Sequence, residues 1–121
     1  MATFNSTEVV IYHNPRCSKS RQTLNLLEQQ GIAPKIINYL QTPPSTAELT
    51  EILSRLQASP RDIMRQQEAP YKEADLGQTD LTEQQLLQAI VDYPILLQRP
   101  IVIAKDKAAI GRPPEAVLEI L

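Results

Sequence analysis

The run Val9-Val10-Ile11-Tyr12 is β-branched and aromatic, and it reads as a short buried strand. After the loop HNPRC, a helical pattern covers roughly residues 18–30, with Leu24, Leu26 and Leu27 as its apolar residues. Gly31 stands where a left-handed cap would close that helix. Residues 35–40, KIINYL, read as a second strand. Two strands joined by a helix of this length cannot form a hairpin. They lie parallel, linked by a right-handed crossover, and this βαβ unit commits the chain to an α/β fold.

Helix signals dominate the middle of the chain. Pro43 and Pro44 stop the second strand, and Ser45 with Glu48 forms a capping box, S-x-x-E. Leu49, Ile52, Leu53 and Leu56 then make one apolar stripe. Ser59-Pro60 opens a short helix expected to carry Ile63, Met64 and Arg65. The stretch EAPYKEADLG reads as turns. Thr82 and Gln85 cap a further helix, whose apolar face is Leu86, Leu87, Ile90 and Val91. Strands return at residues 100–104 and 107–111, a hairpin turning on Lys105-Asp106 without the usual glycine. Pro113 and Pro114 open a last helix carrying Val117, Leu118, Ile120 and Leu121. The expected architecture is a single domain, residues 1–121, of thioredoxin-like plan: β-α-β, a helical insert at about 45–92, then β-β-α, with a mixed four-stranded sheet.

The totals restrict function. A formal net charge of −2 gives no general attraction for nucleic acid. No apolar run approaches the length of a membrane span. Residues 1–13, MATFNSTEVVIYH, have neither the basic start nor the apolar core of a signal peptide. One cysteine argues against a disulfide framework and suits a reducing compartment, so a cytoplasmic protein is expected. No strong apolar surface stripe remains once the core is assigned, and a monomer is expected.

That cysteine, Cys17, lies in HNPRCSKSR with the only histidine, His13. Single cysteines more often pack as small apolar residues than react, and a lone histidine often just hydrogen-bonds its loop. Position favours chemistry for Cys17. It precedes the first turn of a helix, where unpaired N–H groups favour an anion by up to ~2 kcal/mol. Arg16, Lys19 and Arg21 are nearby cations that could lower the thiol further. Ser20 occupies the second position of a C-x-x-C pattern, so the chain has no resolving cysteine. Any adduct or mixed disulfide on Cys17 needs an external thiol for release.

HNPRCSKSR, LQTPPS, RQQEAPY, QRPIVI and IGRPPEAVLEIL together resemble the glutaredoxin-coupled arsenate reductase family, nearest to its YfgD-like, arsenate reductase-like branch. The resemblance runs from about residue 9 to residue 121. It implies a thioredoxin-like fold and a cysteine, here Cys17, that attacks arsenate to form a thiol–arsenate adduct. Glutathione would be the co-substrate and glutaredoxin the recycling partner. It implies that His13 assists the cysteine, that Arg65, Arg99 and Arg112 bind the oxyanion, and that Pro100 is the cis proline opening the third strand. Asn14, Ser20 and Arg21 are implied as supporting residues. No metal and no bound cofactor are implied. Guanidinium groups suit such an ion because they present paired donors and stay charged when partly buried. The well-characterised reductases carry glycine and threonine after the cysteine, where this chain has Ser18 and Lys19.

Two other functions share these features. A monothiol-disulfide exchange protein would use Cys17 on glutathione mixed disulfides. A Spx-like redox module binding RNA polymerase would share the fold, although such modules usually carry C-x-x-C and Ser20 breaks that switch.

Overall fold

The computed structural model describes residues 8–121. The expected leader-free start falls largely on residues 1–7, which lie outside the described residues. Two compact units form: one holds the described residues up to Thr42 with Arg99–Leu121, the other is Pro43–Gln98.

The first unit is built on the βαβ signal. Strand β1 (Val10–His13), helix α1 (Ser18–Gln29) and β2 (Lys35–Asn38) are followed, after the second unit, by β3 (Ile101–Ala104) and β4 (Lys107–Ile110). The sheet order is β2-β1-β3-β4, with β1 parallel to β2 and both other pairs antiparallel. This is the mixed four-stranded sheet of a thioredoxin-like fold. The central strands β1 and β3 are buried at every residue, which is why, His13 apart, they read as apolar runs rather than as alternation. Ile11 and Val102 are register partners and point to one face. With Ala104 they pack on Leu27 of α1 and on Val117 and Ile120. Each fully buried aliphatic side chain here contributes about 1.5–3 kcal/mol relative to exposure. Edge strand β2 is open to solvent, and Ile36 is 51% exposed.

Gly31 adopts φ 77° behind α1, as a left-handed cap requires. The β3–β4 turn does without glycine by placing Lys105 at φ 59°. The closing segment differs from expectation. Pro114–Ile120 forms 3₁₀ turns rather than an α-helix, although Val117 and Ile120 are buried as anticipated.

The second unit contains α2 (Thr46–Leu56), α3 (Ala69–Glu73) and α4 (Glu83–Asp92). Capping boxes at Ser45/Glu48 and Thr82/Gln85 start α2 and α4, as read from the sequence. Helices α2 and α4 pack together, burying Leu49, Ile52, Leu53, Leu86, Leu87 and Ile90. Helix α3 was hidden in EAPYKEADLG. Pro70 sits in its first turn, and Tyr71 is buried. Arg65 is not helical either: the 3₁₀ turn Pro60–Ile63 ends before it, and Met64 pairs with Leu97 in an isolated antiparallel bridge. Among the described residues no helix is long and apolar enough to cross a membrane.

Candidate active site

The loop between β1 and α1 is fixed by its own polar side chains. Asn14 Oδ1 accepts the Arg16 N–H at 3.0 Å, and the Asn14 carbonyl accepts the Cys17 N–H at 3.0 Å. Asn14 Nδ2 lies 3.5 Å from the Tyr39 hydroxyl, and the Asn14 N–H donates to Ser20 Oγ at 3.0 Å. Arg21 reaches back to donate to the Pro15 carbonyl at 2.9 Å. Asn14, Ser20 and Arg21 therefore brace the turn that presents Cys17.

Cys17 is the N-cap residue of α1, with extended backbone (φ −96°, ψ 123°). Its side chain makes no capping bond to the helix, and no acidic residue stands in the first turn. The thiol is half-buried. Burial is the largest influence on it and pushes its pKa up. Against this act the Ser20 N–H, a hydrogen bond from the Arg99 side chain, the Lys19 N–H and the charge of Arg112, and the thiol ends below the ordinary cysteine value. Arg112 Nη2 donates to Sγ at 3.5 Å, an ordinary distance for a sulfur acceptor, and its charge lowers the thiol pKa. Thus the cations that matter come from distant segments. Of the three expected locally, Lys19 contributes its backbone N–H and Arg21 holds the loop.

Arg99 and Arg112 are tied to each other as well as to the sulfur. Arg112 Nε donates to the Arg99 carbonyl at 2.8 Å. The Arg99-Pro100 and Arg112-Pro113 peptide bonds are both cis. Between these segments runs Gly111, whose N–H donates to the Pro100 carbonyl at 2.9 Å. A Cβ on Gly111 would fall 2.5 Å from Thr23 Oγ1 and 2.7 Å from Pro100 Cγ. Only glycine lets β4 run this close to α1 and bring Arg112 over the thiol. Sequence reasoning named neither Gly111 nor Thr23. The signals were a glycine directly before Arg-Pro and a polar residue at a helix position that proved fully buried.

His13 acts on the loop. Its Nδ1 lies 2.6 Å from Ser20 Oγ. Burial first, then the charge of Arg21, holds its pKa below the usual histidine value, so the ring stands neutral at pH 7. Ser20 can donate to Nδ1 when the ring proton is on Nε2. The link from His13 to the thiol therefore runs through Ser20.

Arg65 belongs to the other unit. Its Nε pairs with Glu68 at 3.0 Å and its Nη1 donates to Gln98 Oε1 at 3.2 Å. The Arg65 N–H to Leu96 and Gln98 N–H to Ile63 backbone bonds fix that geometry. Arg65, Gln98 and Glu68 line a groove of about 390 Å³ on this unit. Among the described residues no group of three or more His, Cys, Asp or Glu side chains could hold a metal.

A sequence model of the ArsC family matches residues 12–120. The chain is 55% identical over 115 residues to the YfgD protein of Escherichia coli K12, covering 94% of this chain and 97% of that one. It is 50% identical over 115 residues to an arsenate reductase of Neisseria meningitidis, covering 94% and 98%. A solved arsenate reductase from Vibrio cholerae superposes with a TM-score of 0.92 at 52% identity, over 97% of this chain and 100% of that one. With residues 12–120 matched by the family model and relatives of 50% identity or more covering nearly all of its length, the chain belongs to the ArsC family.

Proposed function

We propose that this protein is an arsenate reductase in which Cys17 is the nucleophile and external thiols, glutathione and then a glutaredoxin, are the reductants. The observation that carries this is the thiol of lowered pKa held by the Ser20 and Lys19 N–H groups, Arg99 and Arg112. These donors favour the thiolate before substrate arrives and suit a bound oxyanion afterwards. The Cys17 thiolate attacks arsenic, a sulfur–arsenic(V) bond forms, and a hydroxyl leaves as water. One external thiol replaces a second hydroxyl, again releasing water. Another thiol attacks that sulfur, and the two leave as a disulfide. Their electron pair stays on arsenic, now arsenic(III). Water cleaves the remaining sulfur–arsenic bond, freeing arsenite and the Cys17 thiolate. In sum, one arsenate and two thiols give arsenite, one disulfide and one water.

Arg65 is the third oxyanion ligand in this proposal, with Glu68 and Gln98 holding its guanidinium in one orientation. No bound cofactor is needed, and the reducing cytoplasm is the setting in which a monomer with one thiol could work. Arsenate, glutathione, glutaredoxin and an NADPH-coupled reporter test it. Arsenate-dependent NADPH oxidation that disappears in Cys17→Ser is expected. Activity only on a glutathionylated substrate would establish monothiol exchange instead, a reading that the lone Cys17 and Ser20 also favour. Silence in both assays, with capture of RNA polymerase, would turn the assignment to a Spx-like module.

A further inference from the structure

The nucleophile loop has a second open side. A groove of about 280 Å³ is lined by Asn14, Pro15 and Arg16, the three residues before Cys17, by Asn38 at the end of β2, and by Leu40 and Gln41 just beyond it. In the sheet order, β2 flanks β1 on the side away from β3. Arg99 directly precedes the β3 proline and Arg112 follows β4, so the oxyanion donors and this groove approach the loop from opposite neighbours of β1. We infer that the groove is the docking site of the reducing thiol, a small peptide thiol carrying carboxylates, of which glutathione is the representative. The assignment rests on the proposed function above, in which such a thiol must reach arsenic while the arginines still hold its oxygens.

The lining has the chemistry of that ligand. Arg16 is exposed, its backbone is fixed by Asn14 Oδ1, and its guanidinium has no partner among the described residues. Arg21, by contrast, is spent on the Pro15 carbonyl. Side-chain amides of Asn38 and Gln41 offer donors and acceptors to peptide bonds. Asn38 Oδ1 accepts the Leu40 N–H at 3.2 Å, so its NH₂ group is the part that can donate to a ligand. Leu40, 42% exposed, supplies an apolar floor. No acidic residue lines the groove to repel a carboxylate. Its volume of about 280 Å³ lies just under the usual range for small-molecule sites, about 300–1,000 Å³, and suits a small ligand.

Two measurements test this. In the first, Arg16→Glu and Gln41→Glu are assayed with glutathione and with the uncharged 2-mercaptoethanol. The ratio of kcat/KM for glutathione to that for 2-mercaptoethanol should fall about ten-fold, as expected for lost or reversed charge-assisted bonding to a carboxylate. An unchanged ratio in both variants overturns the groove while leaving arsenate reduction standing. In the second, ¹⁵N-labelled Cys17→Ser is titrated with S-methylglutathione, which cannot react. Amide shifts gathered at Arg16, Asn38, Leu40 and Gln41 are expected. Shifts confined to other segments, or none, overturn the groove. Wild-type protein that never oxidises glutathione with arsenate defeats the functional proposal instead, and the titration still decides whether the groove binds.

Discussion

Helices α1 and α2 meet the same problem in their first turns, backbone N–H groups without partners inside the helix. In α2, Ser45 Oγ accepts the Glu48 N–H at 3.1 Å, and the Glu48 carboxylate returns to the Ser45 N–H. The helix completes itself, and such a cap stabilises by about 0.5–2 kcal/mol. In α1 the N-cap is a cysteine that makes no capping bond, and the first turn is Ser18, Lys19 and Ser20, with no acid among them. Its Lys19 and Ser20 N–H groups favour negative charge on the sulfur without closing a capping bond, and two arginines arrive from elsewhere. A helix start that satisfies itself stabilises the fold. One left for an outside anion gives up that stability and becomes a site.

The strongest way to break this contrast is to cap α1 properly. Cys17→Asp places a good N-cap carboxylate among the same donors. Thermal unfolding should show stability raised by about 1 kcal/mol, while arsenate-dependent turnover falls to background. A stability loss would show that α1 was not waiting for an anion.

A smaller effect sharpens it. Arg112→Ala removes one charge that lowers the thiol, so the Cys17 pKa must rise. Thiolate then forms only at higher pH, and the acid limb of the kcat/KM profile moves toward alkali. Oxyanion affinity should drop about ten-fold. The sign for folding follows: a depressed thiol pKa contributes stability above the unfolded cysteine pKa and loses it as pH falls through the folded value. Arg112→Ala should flatten that dependence. An unmoved pH profile would remove Arg112 from the site.

The smallest effect lies at the other helix. Ser45→Ala should cost about 1 kcal/mol in denaturant unfolding, with no change in the pH profile of turnover. A displaced profile would mean that the cap of α2 also serves the chemistry.

The local signals in the sequence were reliable where they depended on neighbours in the chain. Caps at Ser45 and Thr82, the cap glycine Gly31 and the strand runs around Ile11 and Val102 all lie where their residues indicate. Helix α3 was obscured because Pro70 and flanking charges look like turn chemistry, and only the burial of Tyr71 makes it a helix. The final segment misled in the other direction: spacing of Val117 and Ile120 suits α or 3₁₀ geometry equally. For the site, the helix start at Cys17 was legible from the strand, loop and helix pattern around it. Its true cations were not, since the pairing of β1 with β3 and of β3 with β4 decides which arginine reaches the sulfur. Resemblance supplied Arg99 and Arg112; proximity in sequence pointed to Arg16, Lys19 and Arg21 instead.

The strut from Arg112 to Cys17 spans 95 positions of sequence. During synthesis the thiol leaves the ribosome long before that arginine exists as part of the chain. Until the last hairpin has joined β1, Cys17 lacks the hydrogen bond from Arg99 and the charge of Arg112, and its thiol is more fully protonated and less reactive than in the finished fold. Full activation of the thiol thus waits for the chain's distant segment, and the nascent protein carries a less reactive cysteine than the folded one.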